Sequence, residues 1–164
     1  MTHNNPRSHN PNHGLSRPKK SLGQNFLIDE GIIYQIIEAL SPQEGETLLE
    51  IGPGEGAITK PLLQEIETLT AIEIDRDLLP ALAVLPNLHL IHGDILKTKL
   101  THLFPDTIAK IRIVGNLPYN ISTPILFHLL EEIKRIHDMH FMLQKEVVER
   151  MAASPNSKQY GRLS

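Results

Sequence analysis

The sequence contains neither cysteine nor tryptophan, and only 4% of its residues are aromatic. Without cysteine, the chain can form no disulfide bond and no thiolate metal site. No apolar run reaches the length of a membrane-spanning helix, and the first residues lack the apolar stretch of a signal peptide. These absences argue against a disulfide-stapled secreted domain and a membrane protein, and we expect a cytoplasmic location.

Positive charge is concentrated at one end of the chain. The net charge is −3, but the first twenty residues carry Arg7, Arg17, Lys19 and Lys20 and no acid, which leaves about −7 on the remainder after subtraction. This arm could touch a polyanion, although its composition favours a disordered tail. Its histidines, at positions 3, 9 and 13, show no recurring ligand spacing and do not predict a metal site. We expect residues 1–18 to form the tail and residues 19–164 to form one domain.

A strand, a glycine turn and a helix organise the sequence. The apolar run Thr47–Ile51 is followed by Gly52–Gly56 and by a helix that begins near Ile58. Three alternating glycines let the backbone turn tightly and approach a ligand, while the helix offers free N–H groups to a carboxylate or phosphate. A plain βα connection shows the same pattern, so the turn alone identifies no ligand.

Strands and helices alternate along the chain. Asp29 predicts the cap of a first helix that ends near Ser41 and Pro42. Further strands are predicted over 69–74, 88–91, 111–115 and 139–143, and further helices over 58–65, 76–85, 123–136 and 146–153. Pro80 predicts that the helix over 76–85 is irregular or starts late. The pattern predicts an α/β fold with a mostly parallel sheet covered by helices on both faces, and a ligand at the carboxyl ends of the strands.

Polar residues follow these predicted strands. Glu73 lies seventeen residues after Gly56, near the spacing at which an acid accepts hydrogen bonds from the ribose of a nucleotide-like cofactor. Asp94, after the third strand, either accepts from a cofactor adenine amine or caps the next turn. Both acids are therefore candidate cofactor ligands.

The fourth strand ends in Asn116, Leu117, Pro118 and Tyr119. Asn116 and the Leu117 carbonyl group can accept hydrogen bonds from an amine, Pro118 stiffens the turn, and Tyr119 offers a flat face to a base. The arrangement favours a planar-amine pocket for a methyl acceptor such as adenine N6. The alternative is a proline turn with a packed tyrosine.

Together these segments resemble the ribosomal RNA adenine dimethyltransferases of the KsgA type, from about Lys19 to Ser164. The resemblance is carried by Gly23–Leu27, Glu50–Gly54, Glu73–Arg76, Gly93–Asp94, Gly115–Pro124, Met142–Val148 and Tyr160–Ser164. It implies a Rossmann-like class I methyltransferase fold that uses S-adenosylmethionine to dimethylate the N6 amines of two adjacent adenines near the 3′ end of 16S rRNA, within the small ribosomal subunit or its precursor.

The resemblance also implies roles for individual residues. By residue type alone, Ser21–Leu27, the segment before the first helix, is a plain linker or a lid, with the linker favoured. The resemblance instead makes this segment part of the cofactor site. The implied cofactor contacts are Asn25, Leu27, Gly52, Glu73, Asp94 and Asn116. Asn116 would lie between the cofactor methyl group and the target N6, in a reaction site shared with Leu117 and Pro118, and Tyr119 would stack on the flipped adenine. No metal or general base is implied.

Members of this family continue well past Ser164, so we expect a catalytic-domain fragment, monomeric, with one sheet edge left bare. Three alternatives stay open. A nicotinamide dehydrogenase shares the glycine turn and ribose acid but gives no reason for Asn116–Tyr119. An adenine methylase acting on DNA or large-subunit rRNA would need nearly the same pocket, and a ribosome-assembly factor could use the fold without depending on catalysis.

Overall fold

The computed structural model describes residues 26–164, and its centre is a five-stranded parallel sheet. The strands are β1 (Thr47–Ile51), β2 (Leu69–Glu73), β3 (Leu88–His92), β4 (Ile111–Asn116) and β5 (Ile136–Met142). Their order in the sheet is β3-β2-β1-β4-β5, and every neighbouring pair is parallel. The chain therefore winds outward in opposite directions from β1 and from β4, which places the topological switch point between these two strands. The predicted parallel α/β sheet is confirmed.

Residues 26–164 form six short helices, and four of them connect successive strands. They are α1 (Glu30–Leu40), α2 (Thr59–Glu65), α3 (Leu79–Leu82), α4 (Leu100–Leu103), α5 (Ser122–Leu130) and α6 (Lys145–Met151), with 3-10 turns at Ile95–Lys97 and Ile133–Arg135. The predicted cap of α1 is present, since the Asp29 carboxylate accepts a hydrogen bond from the Ile32 N–H at 3.1 Å. Within residues 26–164, no helix is long and apolar enough to cross a membrane.

Apolar side chains cover both faces of the sheet. Leu48 and Val114 pack on one face with Leu40 of α1 and Leu62 of α2, whereas Leu49 packs on the other face. The second face also carries Ile51, Ile113, Ile125, Leu129 and Ile136. Successive strand residues point to opposite faces, so these adjacent leucines serve both layers. Burying each such side chain stabilises the fold by roughly 1.5–3 kcal/mol.

Two predicted boundaries need correction. The helix predicted over 123–136 ends at Leu130, and Ile136 instead opens β5, where it pairs with Ile111 of β4. Ile133 and Ile136 continue the helical spacing, but strand pairing and burial against β4 fix the last of them. The helix predicted over 76–85 is the single turn α3, with Pro80 at its start, as the late start predicted. The 3-10 turn at Ile95–Lys97 and helix α4 were not predicted.

A cluster of charged residues around Arg112, here called the arginine cluster, joins elements near the amino ends of the strands. Arg112, the second residue of β4, donates from Nε and Nη2 to the two carboxylate oxygens of Asp138 on β5, at 2.9 and 2.8 Å. Its Nη1 donates to Glu46 at 2.8 Å, and Nη2 also donates to the carbonyl oxygen of Leu40, at 2.7 Å. Because Arg112 is only 9% exposed, its guanidinium group links the end of α1 to two strands from within the protein.

Candidate active site

A cavity of about 440 Å³ lies at the carboxyl ends of the strands, where the strand order reverses. Residues that follow all five strands line it. Among the predicted site residues, those that line the cavity are Leu27, Gly52, Glu73, Asp94, Asn116, Leu117, Pro118 and Tyr119. Asn25 lies outside the described residues. Residues spread over more than ninety positions of sequence thus meet around one space, as the parallel topology requires.

The glycine turn after β1 forms one wall of the cavity. Gly52 has φ +68° and Gly54 has φ +59°, a left-handed conformation that side chains disfavour. A Cβ atom on Gly52 would meet no atom within 4 Å, so the backbone at this position is open to a ligand. A Cβ atom on Gly54 would lie 3.4 Å from the Phe26 ring, which shows that the chain before α1 packs against the turn.

Glu73 ends β2 and is only 4% exposed. One of its carboxylate oxygens accepts a hydrogen bond from the Gly54 N–H at 3.1 Å, and the other accepts from the Asp75 N–H at 2.9 Å. Each oxygen keeps a second lone pair, so the group can still accept hydrogen bonds from a ligand. Glu73 therefore both fixes the glycine turn and presents acceptor capacity to the cavity.

Asp94 has a structural contact as well as a place in the cavity wall. Its Oδ1 accepts a hydrogen bond from the Leu96 N–H at 3.0 Å, which caps the 3-10 turn that follows β3. Its Oδ2 lies 3.6 Å from Nζ of the exposed Lys97. The capping interpretation of this residue is thus correct, and it leaves room for a ligand contact from the same carboxylate.

The segment after β4 has a backbone held by hydrogen bonds and carries the exposed ring of Tyr119. Asn116 is the last residue of β4, and the Leu117 N–H donates to the Met142 carbonyl oxygen of β5 at 3.2 Å. The Pro118 carbonyl oxygen accepts from the Ser122 N–H at 3.0 Å, which starts α5 directly after the turn. Tyr119 is 50% exposed and lines the cavity, so the alternative of a tyrosine packed in the core is wrong.

Glu50 lines the same cavity and was missed by sequence reasoning. It is 1% exposed, and its Oε2 accepts a hydrogen bond at 2.7 Å from the hydroxyl group of Thr59, the fully buried first residue of α2. Burial raises the pKa of Glu50 to about 7, with the charge of Glu73 acting in the same direction and the Thr59 hydrogen bond against it. The signal available in the sequence was a charged residue inside the apolar run Thr47–Ile51.

Among residues 26–164, the charged side chains that line the cavity are all acidic. Its acidic residues are Glu50, Glu55, Glu73 and Asp94, and no lysine, arginine or histidine of residues 26–164 lines it. Carboxylates on low-dielectric walls focus a negative potential into the space between them. The cavity therefore favours a ligand with net positive charge and opposes one that carries a phosphate.

The parallel sheet, the glycine turn after β1 and the cavity at the switch point define a Rossmann-like fold of the class I methyltransferase type. A model of the ribosomal RNA adenine dimethylase family matches residues 15–164, and the chain belongs to this family.

Curated relatives support the same family. The chain is 59% identical over 153 residues to ribosomal RNA small subunit methyltransferase A of Thiobacillus denitrificans, an alignment that covers 92% of this chain and 58% of that protein. It is 56% identical over 150 residues to the protein of that name from Xylella fastidiosa, covering 89% of the chain and 57% of the relative. The chain thus spans a little over half the length of these relatives.

Two solved structures share the fold. A dimethyladenosine transferase from Plasmodium falciparum superimposes with a TM-score of 0.71 at 30% identity, over 85% of this chain and 50% of that one. The 23S rRNA methyltransferase ErmE superimposes with a TM-score of 0.66 at 28% identity, over 85% of this chain and 54% of that one.

Proposed function

We propose that this chain carries the cofactor and acceptor sites of an enzyme that dimethylates the N6 amines of two adjacent adenines near the 3′ end of 16S rRNA, with S-adenosylmethionine as methyl donor. One observation carries the proposal. The acids that suit a nucleoside cofactor, Glu73 and Asp94, line the same cavity as Asn116–Tyr119, the segment that suits an adenine amine. A donor and an acceptor could therefore meet in one space.

The cavity suits S-adenosylmethionine by shape and by charge. The open backbone at Gly52 gives room for the amino-acid part of the cofactor, and Glu73 and Asp94 offer acceptors to its ribose and its adenine amine. S-adenosylmethionine carries a sulfonium and an ammonium group against one carboxylate, so it is a net cation. A nicotinamide dinucleotide brings a pyrophosphate against a wall whose titratable side chains, among residues 26–164, are all acidic, and this argues against the dehydrogenase alternative.

The acceptor side needs alignment rather than a strong base. S-adenosylmethionine, when bound, supplies an electrophilic methyl group. The Asn116 side-chain oxygen and the Leu117 carbonyl oxygen would accept hydrogen bonds from the two N–H groups of adenine N6. These hydrogen bonds favour a pyramidal nitrogen with an available lone pair. The exposed ring of Tyr119 would stack on the base after it has left its RNA helix. Holding the reacting groups in line supplies most of the rate enhancement.

The small ribosomal subunit is the favoured substrate. The curated relatives at 50–59% identity are named for the small-subunit rRNA, whereas the neighbour named for 23S rRNA is 28% identical. The residues of the cavity do not distinguish these RNAs, DNA or a mainly non-catalytic assembly role. The choice of substrate therefore rests on the relatives.

Two measurements test the proposal. Titration calorimetry on this chain should detect S-adenosylmethionine and not NAD; binding of NAD alone would reject the cofactor. A chimera of this chain with the remaining residues of the Thiobacillus denitrificans relative should then be incubated with unmodified small subunits, large subunits and DNA, and the products identified by mass spectrometry. Dimethyladenosine in 16S rRNA alone supports the substrate, and product from 23S rRNA or DNA instead would replace it.

A further inference from the structure

Glu50 has no role in the proposed reaction, yet it is the most buried acid of the cavity. It is 1% exposed, compared with 4% for Glu73, and the other two acids of the wall, Glu55 and Asp94, are partly exposed. Its position is fixed, because the Thr59 hydroxyl group donates to it at 2.7 Å and Thr59 is itself fully buried. A carboxyl group held this firmly against a ligand cavity responds to the charge of whatever enters.

The neighbours of Glu50 do not offset its charge. On β2 Glu50 pairs with Ala71, and the charge of Glu73, two residues further along that strand, opposes ionisation of Glu50. The helix that follows β1 contributes the neutral Thr59. At the neighbouring strand end of the cavity wall, β4 contributes Asn116, which is uncharged, and Asp94 after β3 and Glu55 in the turn are acids. No basic residue of the described chain stands on this wall, so an ionised Glu50 is stabilised when a ligand supplies a positive charge.

We propose that Glu50, positioned by Thr59, distinguishes the cationic cofactor from its demethylated product by giving up a proton when the cation binds. This inference rests on the proposed use of S-adenosylmethionine. Methyl transfer breaks the sulfur–methyl bond, leaves its electron pair on sulfur and forms a bond from the N6 lone pair to the methyl carbon, after which N6 loses a proton to solvent water. The sulfonium becomes a neutral thioether, so the bound ligand loses one positive charge and the reason for Glu50 to stay ionised weakens.

The pKa of Glu50 places the change in the preference for cofactor over product near neutral pH. Since burial raises the pKa of Glu50 to about 7, close to half of the free protein holds the proton at pH 7. One unit charge about 10 Å away, at an effective dielectric constant of about 20, changes such an equilibrium about tenfold. The preference for cofactor over product is therefore small near pH 6 and grows as the pH rises past 7.

Calorimetry on the full 164-residue chain tests the proposal, with S-adenosylmethionine and S-adenosylhomocysteine titrated at pH 7 in buffers of different ionisation enthalpy. We expect the cofactor to release about half a proton and the product clearly less, with a cofactor preference that increases from pH 6 to pH 8. Glu50→Gln should abolish both the release and the pH dependence of the preference. Thr59→Val removes a hydrogen bond that lowers the pKa of Glu50, so it should move both effects to higher pH, whereas Thr59→Ser should leave them in place. Glu67→Gln, which changes an exposed acid before β2, should alter neither.

The possible failures are distinct. If neither ligand binds, the proposed cofactor is wrong and this inference falls with it. If both ligands bind with equal proton release, or if Glu50→Gln keeps the pH-dependent preference, the role of Glu50 is wrong while the proposed function stands. Circular dichroism of each variant separates a lost preference from a lost fold.

Discussion

The α-carbon of Gly115 lies so close to the carbonyl oxygen of Ile51 that a Cβ atom at this position would be 2.5 Å from it. The contact is between backbones of β4 and β1, at the switch point where the cavity opens. No rotation of a side chain could relieve the clash. Gly115 is therefore required for these two strands to approach each other directly beside Asn116.

Gly115→Ala should destabilise the domain by about 1–3 kcal/mol, since the two strands must move apart to admit a methyl group. We expect the shift to weaken cofactor binding as well. Urea unfolding measures the first effect and calorimetry the second. Gly161→Ala is the control, because a Cβ atom there would meet nothing within 4 Å and should change stability by less than about 0.5 kcal/mol. Equal stability of the two variants would contradict the structural role of Gly115.

Glu73→Ala should weaken binding of S-adenosylmethionine by about 1.5–3 kcal/mol, through loss of a charged acceptor for ribose hydroxyl groups. The change also removes the acceptor for the Gly54 N–H, so the glycine turn loses a support. Glu67→Ala, an exposed acid before the opposite end of the same strand, is the matched control. Unchanged affinity in the Glu73 variant would remove this residue from the site.

Asn116→Ala and Tyr119→Ala should separate the chemical step from substrate binding. In the full-length chimera, Asn116→Ala should reduce the rate at saturating substrate by roughly a hundredfold or more while cofactor affinity stays within about tenfold. Tyr119→Ala should lose a stacking contribution of about 1–3 kcal/mol and impair use of RNA more than cofactor binding. Single-turnover kinetics and calorimetry measure these effects.

The controls for this pair are exposed residues of the same types on helices outside the cavity, Gln64→Ala for the amide and Tyr34→Ala for the ring. Normal turnover by the Asn116 variant, or unfolding of the Tyr119 variant, would make this strand end structural and remove the main support for methyl transfer.

Arg112→Ala should destabilise the fold by about 3 kcal/mol, because Asp138 and Glu46 would keep their charges without the guanidinium that holds them. Arg150→Ala breaks an exposed pair with Glu146 and should have an effect below about 0.5 kcal/mol in the same urea titration. A similar small effect for both arginines would show that the cluster does not stabilise the fold.

The arginine cluster should also make the free energy of unfolding depend on pH in acid. The hydrogen bond from Arg112 lowers the pKa of Asp138. Burial raises the pKa of Glu46, but the hydrogen bonds from Arg112 and the Gln43 N–H, together with the charge of Arg112, outweigh burial and lower that pKa too. A lowered folded-state pKa gives stability that is present above the ordinary values of 3.8 and 4.5 and is lost as the pH falls below them. Arg112→Ala should therefore flatten the loss of stability between about pH 5 and pH 2.

The contribution of Glu50 to the free energy of unfolding should change with pH in the opposite direction. Its folded-state pKa is raised from 4.5 to about 7, so its contribution to stability is fully present below 4.5 and is lost as the pH rises to about 7. The loss amounts to about 3 kcal/mol in the ligand-free chain. Glu50→Gln has no proton to lose, and its unfolding free energy should exceed that of the wild type at pH 8 but not at pH 4. Parallel pH profiles of the two proteins would place Glu50 in a more polar environment than its burial indicates.

Local signals in the sequence predicted much of this structure. The Asp29 cap and the run Thr47–Ile51 were assigned to the residues where they occur, because each is set by neighbours in sequence. Strand ends in a parallel sheet share one edge, so the meeting of Glu73, Asp94 and Asn116 followed from topology alone.

The features that the sequence did not predict depend on contacts between residues far apart in the chain. Ile136 continues a helical spacing but pairs with Ile111. Helix α4 is supported by Glu132, which accepts hydrogen bonds from the N–H groups of Leu100 and Thr101, 32 and 31 residues away in sequence. Glu50 was missed for a similar reason, since an acid in a strand reveals neither its burial nor its partner.

Strand β4 holds the arginine cluster at its start and the proposed acceptor segment at its end, with Arg112 and Asn116 only four residues, or about 13 Å, apart. The buried ion cluster and the proposed acceptor segment thus lie at opposite ends of one short element, with Gly115 as the structural residue next to the acceptor segment. A directed-evolution library aimed at new acceptor bases could randomise Asn116 and the exposed Tyr119, and keep the buried Leu117 and the start of the strand. Substrate range in this family could then diversify without each variant having to regain its fold.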